Sequence, residues 1–381
     1  MPKTITLGLC ILALAEAQAP PAPPFRAPTA IALGSGRRPS ALAAGDFDRD
    51  GRKDLAVVSE GTDDLQVLLG DGRGGFRRGN ATAAGANPAE ICAGDFDRDG
   101  RVDLAVANHE TSSVTVLRGD GRGGFRPAPG SPVAVASLPH PHTIDTADLD
   151  GDGILDLLID SWQENRLKLL SGDGRGGFRG PGRPVEAGRK PYRNLILADL
   201  DGDGRSDIAT PSTAGRGVTL LFGDGRGSFR GAASPPVPAG PSPFVVKSAD
   251  LDRDGAPDLV VANYSGRLSD SSGDALTFLL GDGRGGFRLG ARLSSGRAPL
   301  DIAAGDVNGD GYADAVTANA GSRDLTVALG GPDGLSPSRL FTVPLGRKAE
   351  RVLLEDFDSD GKADAVTANH DDGDLSVLLA R

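Results

Sequence analysis

One nine-residue pattern, Asp-x-Asp-x-Asp-Gly-x-x-Asp followed by an apolar residue, recurs seven times along this 381-residue chain, with Asn308 for the second Asp in the sixth copy. It begins at Asp46, Asp95, Asp148, Asp199, Asp250, Asp306 and Asp356, at intervals of 49, 53, 51, 51, 56 and 50 residues. A period of this length marks an architecture in which each repeat buries its faces against its neighbours. A second motif keeps step. Gly-Asp-Gly-Arg-Gly-Gly-Phe recurs at Gly70–Phe76, Gly119–Phe125, Gly172–Phe178 and Gly281–Phe287, with one Ser in Gly223–Phe229 and a degraded copy at Gly330–Leu335. Glycines at these spacings suit a tight hairpin that needs positive φ.

Between the motifs lie short β-type runs such as Leu55–Val58 and Leu65–Leu69. One repeat therefore reads as four strands: an inner strand (Ala41–Ala44 in the first), the Asp-rich loop, a second strand, a polar loop, a third strand, the Gly hairpin and an outer strand from about Phe76. The 56 Gly and 27 Pro beside 38% apolar residues agree with many short strands joined by turns rather than with disorder. The expected fold is all-β, a seven-bladed β-propeller of four-stranded antiparallel blades. The seventh repeat stops after its third strand, Ser376–Leu379, and residues 25–34 stand in the phase of an outer strand. The N-terminal strand is thus expected to complete the last blade and close the ring, removing an open edge.

The Asp-rich loop has the composition of a calcium site. Calcium takes six to eight hard oxygen ligands, and carboxylates at positions 1, 3 and 5 of a tight loop converge, with Gly at position 6 for the sharp turn. With the ninth-position acid, the candidate ligands are Asp46, Asp48, Asp50 and Asp54; Asp95, Asp97, Asp99 and Asp103; Asp148, Asp150, Asp152 and Asp156; Asp199, Asp201, Asp203 and Asp207; Asp250, Asp252, Asp254 and Asp258; Asp306, Asn308, Asp310 and Asp314; Asp356, Asp358, Asp360 and Asp364. In an EF-hand the last acid falls at position 12 between helices; here it falls at position 9 between β-type runs. The expectation is about seven structural Ca²⁺ per chain. Seven such ions would carry the formal charge from −11 to about +3. No nucleic-acid partner is expected, although the bare chain's acidity bears on this only while the loops are empty.

The N-terminus reads as an export leader, with Lys3, an apolar stretch Ile5–Ala15 and a small-residue site at Ala17-Gln18-Ala19. Residues 1–19 are then a signal peptide, residues 20–381 a single propeller domain, and the protein is secreted, extracellular or periplasmic. Cys10 lies in the leader, which leaves Cys92 alone in the mature chain, without an intramolecular disulfide and expected as a small buried apolar residue. No apolar run is long enough to span a membrane, and a monomer is expected.

The Asp-rich loops and Gly hairpins of residues 25–381 resemble the FG-GAP (VCBS) repeat, known from the head propeller of integrin α subunits and from bacterial secreted proteins. That resemblance implies a calcium-bearing face and, opposite to it, a face that engages partners. On the opposite face fall the loops between second and third strands and the connectors between blades. They carry His109, His140, His142, Trp162, Arg189, Tyr192, Arg193, Tyr264 and His370, with Arg37, Arg38, Arg297, Arg347 and Lys348 among the connectors. Aromatic, Arg and His side chains at the mouth of a ring suit an anionic or carbohydrate ligand. The function expected is a non-catalytic binding or scaffold module for an extracellular protein or glycan. The alternative is a propeller-type polysaccharide lyase or hydrolase acting on acidic glycans, with Tyr192 or a His (His140, His142) moving a proton and Arg193 neutralising a uronate. No nucleophile elbow, zinc motif or phosphate loop is present.

Overall fold

The strand after each Asp-rich loop is six residues long and buried end to end, as in Asp54–Ser59, Asp103–Asn108 and Asp364–Asn369. Such a strand lies in the middle of a sheet covered on both faces, so the usual alternation of apolar and polar residues vanishes. The computed structural model describes residues 22–381, apart from 138–139, 189–190, 192–193, 213–215, 232–235 and 267–272, and the backbone alone at Trp162. The leader expected at 1–19 lies outside the described residues.

Seven antiparallel sheets form the blades. Blade 1 runs Pro39–Gly45, Asp54–Ser59, Asp64–Gly70 and Phe76–Ala83 from the inside outward. Blades 5 and 6 repeat it with Pro243–Ala249 to Phe287–Ser294 and Pro299–Gly305 to Leu340–Pro344. Blade 7 has only Arg351–Glu355, Asp364–Asn369 and Asp374–Leu378 from its own repeat. Its outer strand is Thr29–Ala32, antiparallel to the third strand with Thr29 opposite Val377 and Ala32 opposite Asp374. Arg26 N–H donates to Leu379 O (2.8 Å) and Arg381 N–H to Pro24 O (2.9 Å), which extends the seam. The ring is closed by the N-terminal strand, as the truncated seventh repeat requires.

Outer strands depart from uniformity in blades 2 to 4. Blade 2 splits its outer strand into Phe125–Pro127 and Val133–Ala134, and blade 4 into Phe229–Gly231 and Val237–Pro238. In blade 3 a bridge between Gly172 and Phe178 precedes Arg183–Glu186. These three stretches contain Pro127, Pro129 and Pro132, Pro181 and Pro184, and Pro235, Pro236 and Pro238, whereas blades 1 and 5 have no proline there and run eight residues. Proline has no N–H to give to the ladder, so these strands break.

The core is distributed. Seven apolar clusters are found among the described residues, each joining two adjacent blades; Leu65, Val67 and Leu69 of blade 1 meet Ile91, Leu104 and Val106 of blade 2 in one of them. The cluster of Val366, Leu375 and Val377 with Leu55, Val57 and Leu68 joins blade 7 to blade 1. Inner strands line a central cavity of about 380 Å³, whose walls include Glu90, Asp145, Lys247, Asp301, Arg351 and Glu355. Cys92 sits on that wall, buried and unpaired in disulfide terms. Two short 3₁₀ turns, Trp162–Glu164 and Pro337–Arg339, are the helical elements among the described residues.

Candidate metal loops and the opposite mouth

Each Asp-rich loop is organised first by its own backbone. In loop 1 the Asp46 carboxylate accepts the N–H groups of Asp50 (3.1 Å) and Gly51 (3.0 Å), and Asp50 accepts that of Arg52 (2.9 Å). The bond from the sixth-position Gly to the first Asp recurs in every loop, for example Gly204 to Asp199 (2.8 Å) and Gly311 to Asp306 (2.7 Å). Gly51 has φ +82°, as the turn demands. The fourth position is left-handed too, with Arg49 at +63° and Ser359 at +63°, a strain the repeat pattern did not reveal. The loop thereby draws carboxylate oxygens of Asp46, Asp48 and Asp50 within 4.8 Å of one another, and those of Asp95, Asp97 and Asp99, and of Asp148, Asp150 and Asp156, likewise.

The ninth-position Asp does something the spacing alone did not disclose. Asp54 accepts Phe47 N–H on one oxygen (2.8 Å) and Gly70 N–H on the other (2.8 Å), so it ties the loop to the start of the Gly hairpin in the same blade. Asp258 does the same with Leu251 (2.9 Å) and Gly281 (2.8 Å), and Asp364 with Phe357 (2.9 Å) and Ala380 (2.8 Å). Each oxygen keeps a second lone pair for a cation. Burial pushes these carboxyls up, to about 6 at Asp103, Asp156, Asp258 and Asp364 and to about 7 at Asp314, against the two backbone bonds that pull them down. Asp54 and Asp207 are raised by the same cause. Neighbouring loop carboxylates add repulsion.

Several loop oxygens are buried without a hydrogen-bond partner: Oδ1 of the third-position Asp48, Asp97, Asp201 and Asp358, and Oδ1 of Asp250. A buried anionic oxygen with no donor is costly. The donor set is all oxygen, which fits a hard cation such as Ca²⁺. Loop 2 is different. Arg118, at the place taken by Leu69, Leu280, Leu329 and Leu379 in blades 1, 5, 6 and 7, lays its guanidinium on Asp97, whose side chain is 3% exposed.

The two motifs meet across blade boundaries. The fifth hairpin residue donates its N–H to the second loop residue of the preceding blade: Gly123 to Phe47 O (2.9 Å), Gly176 to Phe96 O (3.1 Å), Gly227 to Leu149 O (2.8 Å), Gly74 of blade 1 to Phe357 O of blade 7 (3.1 Å). Gly74 sits at φ +78°, and a Cβ there would lie 2.4 Å from Leu379. The hairpin Phe completes the joint edge-on, with Phe125 on Phe47, Phe178 on Phe96 and Phe76 on Phe357, each at 5.3 Å between centroids. Loop and hairpin are therefore the two halves of one inter-blade clasp.

At the other end, a cavity of about 250 Å³ is lined by His109, His142, His370, Glu60, Glu350 and Arg351 among others. His109, His140 and His142 stack together, with ring centroids 3.6, 4.8 and 5.1 Å apart. Burial, with the neighbouring His142, holds His140 below the usual imidazole range. His142 is buried beneath Asp160, whose carboxylate accepts the N–H groups of His142 (2.7 Å) and Thr143 (3.0 Å) and meets His142 Nδ1 at 3.3 Å. His370 bonds Asp371 at 3.0 Å and also meets Glu60. Tyr264 packs edge-on against Phe244 at 5.3 Å and is not among the residues lining this cavity. Trp162 has its backbone in a 3₁₀ turn after the second strand of blade 3; Arg189, Tyr192 and Arg193 lie outside the described residues. Among the described residues, four connector cations are paired on this same face: Arg37 with Asp64 (2.6 Å), Arg38 with Glu60 (3.3 Å), Arg347 with Asp374 (3.3 Å), Lys348 with Glu350 and Asp371 (2.8 Å each). These four cations are thus offset by neighbouring carboxylates.

Acids and amides of the inner strands escaped the sequence reading. Asp145, Asn194 and Asp301 each accept a backbone N–H from the next blade, from Leu197 (3.2 Å), Val246 (2.7 Å) and Val352 (3.1 Å). Glu90 faces Arg351 at 3.4 Å across the cavity wall, and burial pushes its carboxyl up. Their recurrence a few residues before the Asp-rich loops is the signal that could have found them.

Fold and loops define a seven-bladed propeller with an Asp-rich loop in every blade. The model of the FG-GAP-like repeat matches residues 46–106, 95–159, 199–261 and 306–367, and the chain belongs to that family. No curated protein matches the sequence. Among solved structures it is similar to BBS1N, in a crystal structure of its complex with ARL6DN soaked with lead (14% identity, 94% of this chain and 97% of that one, TM-score 0.62). It is also similar to virginiamycin B lyase from Staphylococcus aureus (12%, 94% and 100%, 0.58) and to an Agrocybe aegerita lectin specific for non-reducing terminal N-acetylglucosamine (19%, 81% and 81%, 0.54). At these identities the likeness is one of fold.

Proposed function

We propose that this protein is a secreted, calcium-stabilised propeller that works as a non-catalytic binding module for an extracellular protein or glycan. The observation that carries the calcium part is the set of buried loop oxygens without donors, on Asp48, Asp97, Asp201, Asp250 and Asp358. Asp46, Asp48, Asp50 and Asp54 and their counterparts would hold the ion, which supplies positive charge to carboxylates that otherwise repel. Because each loop also clasps the next blade's hairpin, filling the loops strengthens the joints of the ring, and binding and folding are coupled. The opposite mouth is the ligand face in this reading. BBS1N, of similar fold, was crystallised in a complex with ARL6DN, and the Agrocybe aegerita lectin recognises non-reducing terminal N-acetylglucosamine, which agrees with a binding role for this fold.

The test is a metal count by mass spectrometry on the mature chain, with thermal melts in excess calcium and in chelator. Six or seven calcium ions per chain and a melt that falls steeply on chelation are expected. Little bound metal and an unchanged melt would reduce the loops to hydrogen-bonded turns. Glycan arrays and pull-downs with the calcium-loaded protein then address the ligand face, and turnover of a bound glycan would overturn the non-catalytic part.

A further inference from the structure

We infer that His109, His140 and His142 form a binding site for a divalent transition-metal ion of the zinc type, separate from the Asp-rich loops and at the opposite mouth of the ring. One nitrogen from each of the three side chains falls in a group within 4.8 Å. A tetrahedral zinc ion, with nitrogens at about 2.0–2.1 Å, needs them about 3.3 Å apart, so the rings must turn to converge on it. Imidazole is the ligand that zinc-type ions favour, whereas the Asp-rich loops offer only hard oxygen.

The surroundings are those of a held ligand. Asp160 is 1% exposed, is fixed by two backbone N–H groups, and places Oδ2 on Nδ1 of His142. A carboxylate on one ring nitrogen favours the proton there and so leaves the other nitrogen as the basic one, the support that metal-bound histidines usually have. His109 comes from the loop after the second strand of blade 2, and His140 and His142 come from the connector into blade 3. The site therefore bridges two blades. His109 and His142 also line the 250 Å³ cavity, which leaves room for water or a small anion as a further ligand.

The experiment titrates the full chain, held in millimolar calcium to fill oxygen sites, with Zn²⁺ against a chromophoric chelator, and with Co²⁺ for its visible spectrum. One Zn²⁺ per chain at micromolar affinity or tighter, and a cobalt band typical of nitrogen ligation, are expected. The double variant His109→Gln, His140→Gln should lose both signals while keeping its calcium count and its melt in calcium. Asp160→Asn should weaken zinc by about 10–100-fold, as loss of an outer partner does. Asp258→Asn, in a loop at the other end of blade 5, should leave zinc binding unchanged, so failure of the calcium reading is separable from failure of this one. Absence of saturable zinc binding in the wild type, or zinc binding undiminished in the double variant, overturns the site.

Discussion

Replacing Asp258 by Asn in the absence of calcium should be neutral or stabilising near pH 7.5 and destabilising below pH 5. Asp258 is fully buried and its carboxyl is raised from 3.8 to about 6. A raised carboxyl contributes stability that is complete below its unfolded value and is lost as pH rises through the folded one. In the metal-free protein at pH 7.5 the ionised side chain therefore costs about 3 kcal/mol, at about 1.4 kcal/mol per unit. Asn carries no charge and escapes that cost. Its amide, however, has one acceptor for two donors, Leu251 N–H and Gly281 N–H, and one buried donor left unpaired costs about 1–3 kcal/mol. In chelator at pH 7.5 the variant should match the wild type or exceed it by up to about 2 kcal/mol, near 2–3 °C for a chain of this size. In chelator below pH 5 the wild-type carboxyl is protonated, the advantage disappears, and the variant should melt lower by about 1–3 kcal/mol. In calcium the variant should lose the ion of loop 5 and melt below the wild type. Thermal melts at the two pH values, with and without calcium, read all three. Equal destabilisation at both pH values in chelator would refute the raised carboxyl, and retention of the loop 5 ion would refute the ninth position as a ligand.

Phe47→Ala empties a 2%-exposed ring site at the joint of blades 1 and 2, against Phe125, and should cost about 3–5 kcal/mol in chelator and calcium alike; calcium that restored the wild-type melt would argue against a packing role. Arg118→Leu gives blade 2 the residue of blades 1, 5, 6 and 7 and removes the guanidinium from Asp97. Calcium titration should then show one site tightened by 10-fold or more, or one ion gained, and an unchanged isotherm would show that Arg118 does not compete. Across the metal-free protein, five carboxyls at about 6 or 7 predict a melting temperature that rises as pH is lowered from 8 to 5; a flat or falling profile would contradict their burial.

Much of the molecule was legible before any coordinates. Seven copies of one loop at a near-constant period gave the number of blades, and a truncated last repeat with a spare N-terminal strand gave the closure seen between Thr29–Ala32 and Asp374–Val377. Even the split outer strands of blades 2 to 4 were written in their prolines, although uniform four-stranded blades were expected. These features are legible because a repeat states the same local chemistry many times, and hydrogen bonding and turn geometry act over a few residues.

The joints and the mouth belong to tertiary structure. That Asp54 holds Phe47 and Gly70, that Gly123 reaches back to Phe47 O, and that Arg118 enters an Asp-rich loop all depend on which strands and blades stand side by side. His109 stands in one repeat while His140 and His142 stand in the connector to the next, so no spacing rule links them; the ring brings them to 3.6–5.1 Å because adjacent blades turn their loops toward one axis. The basic connectors show the same limit, since their partners Asp64, Glu60 and Asp374 lie elsewhere along the chain. Local pattern decides what each blade is, and the closure of seven of them around an axis decides which side chains share a site.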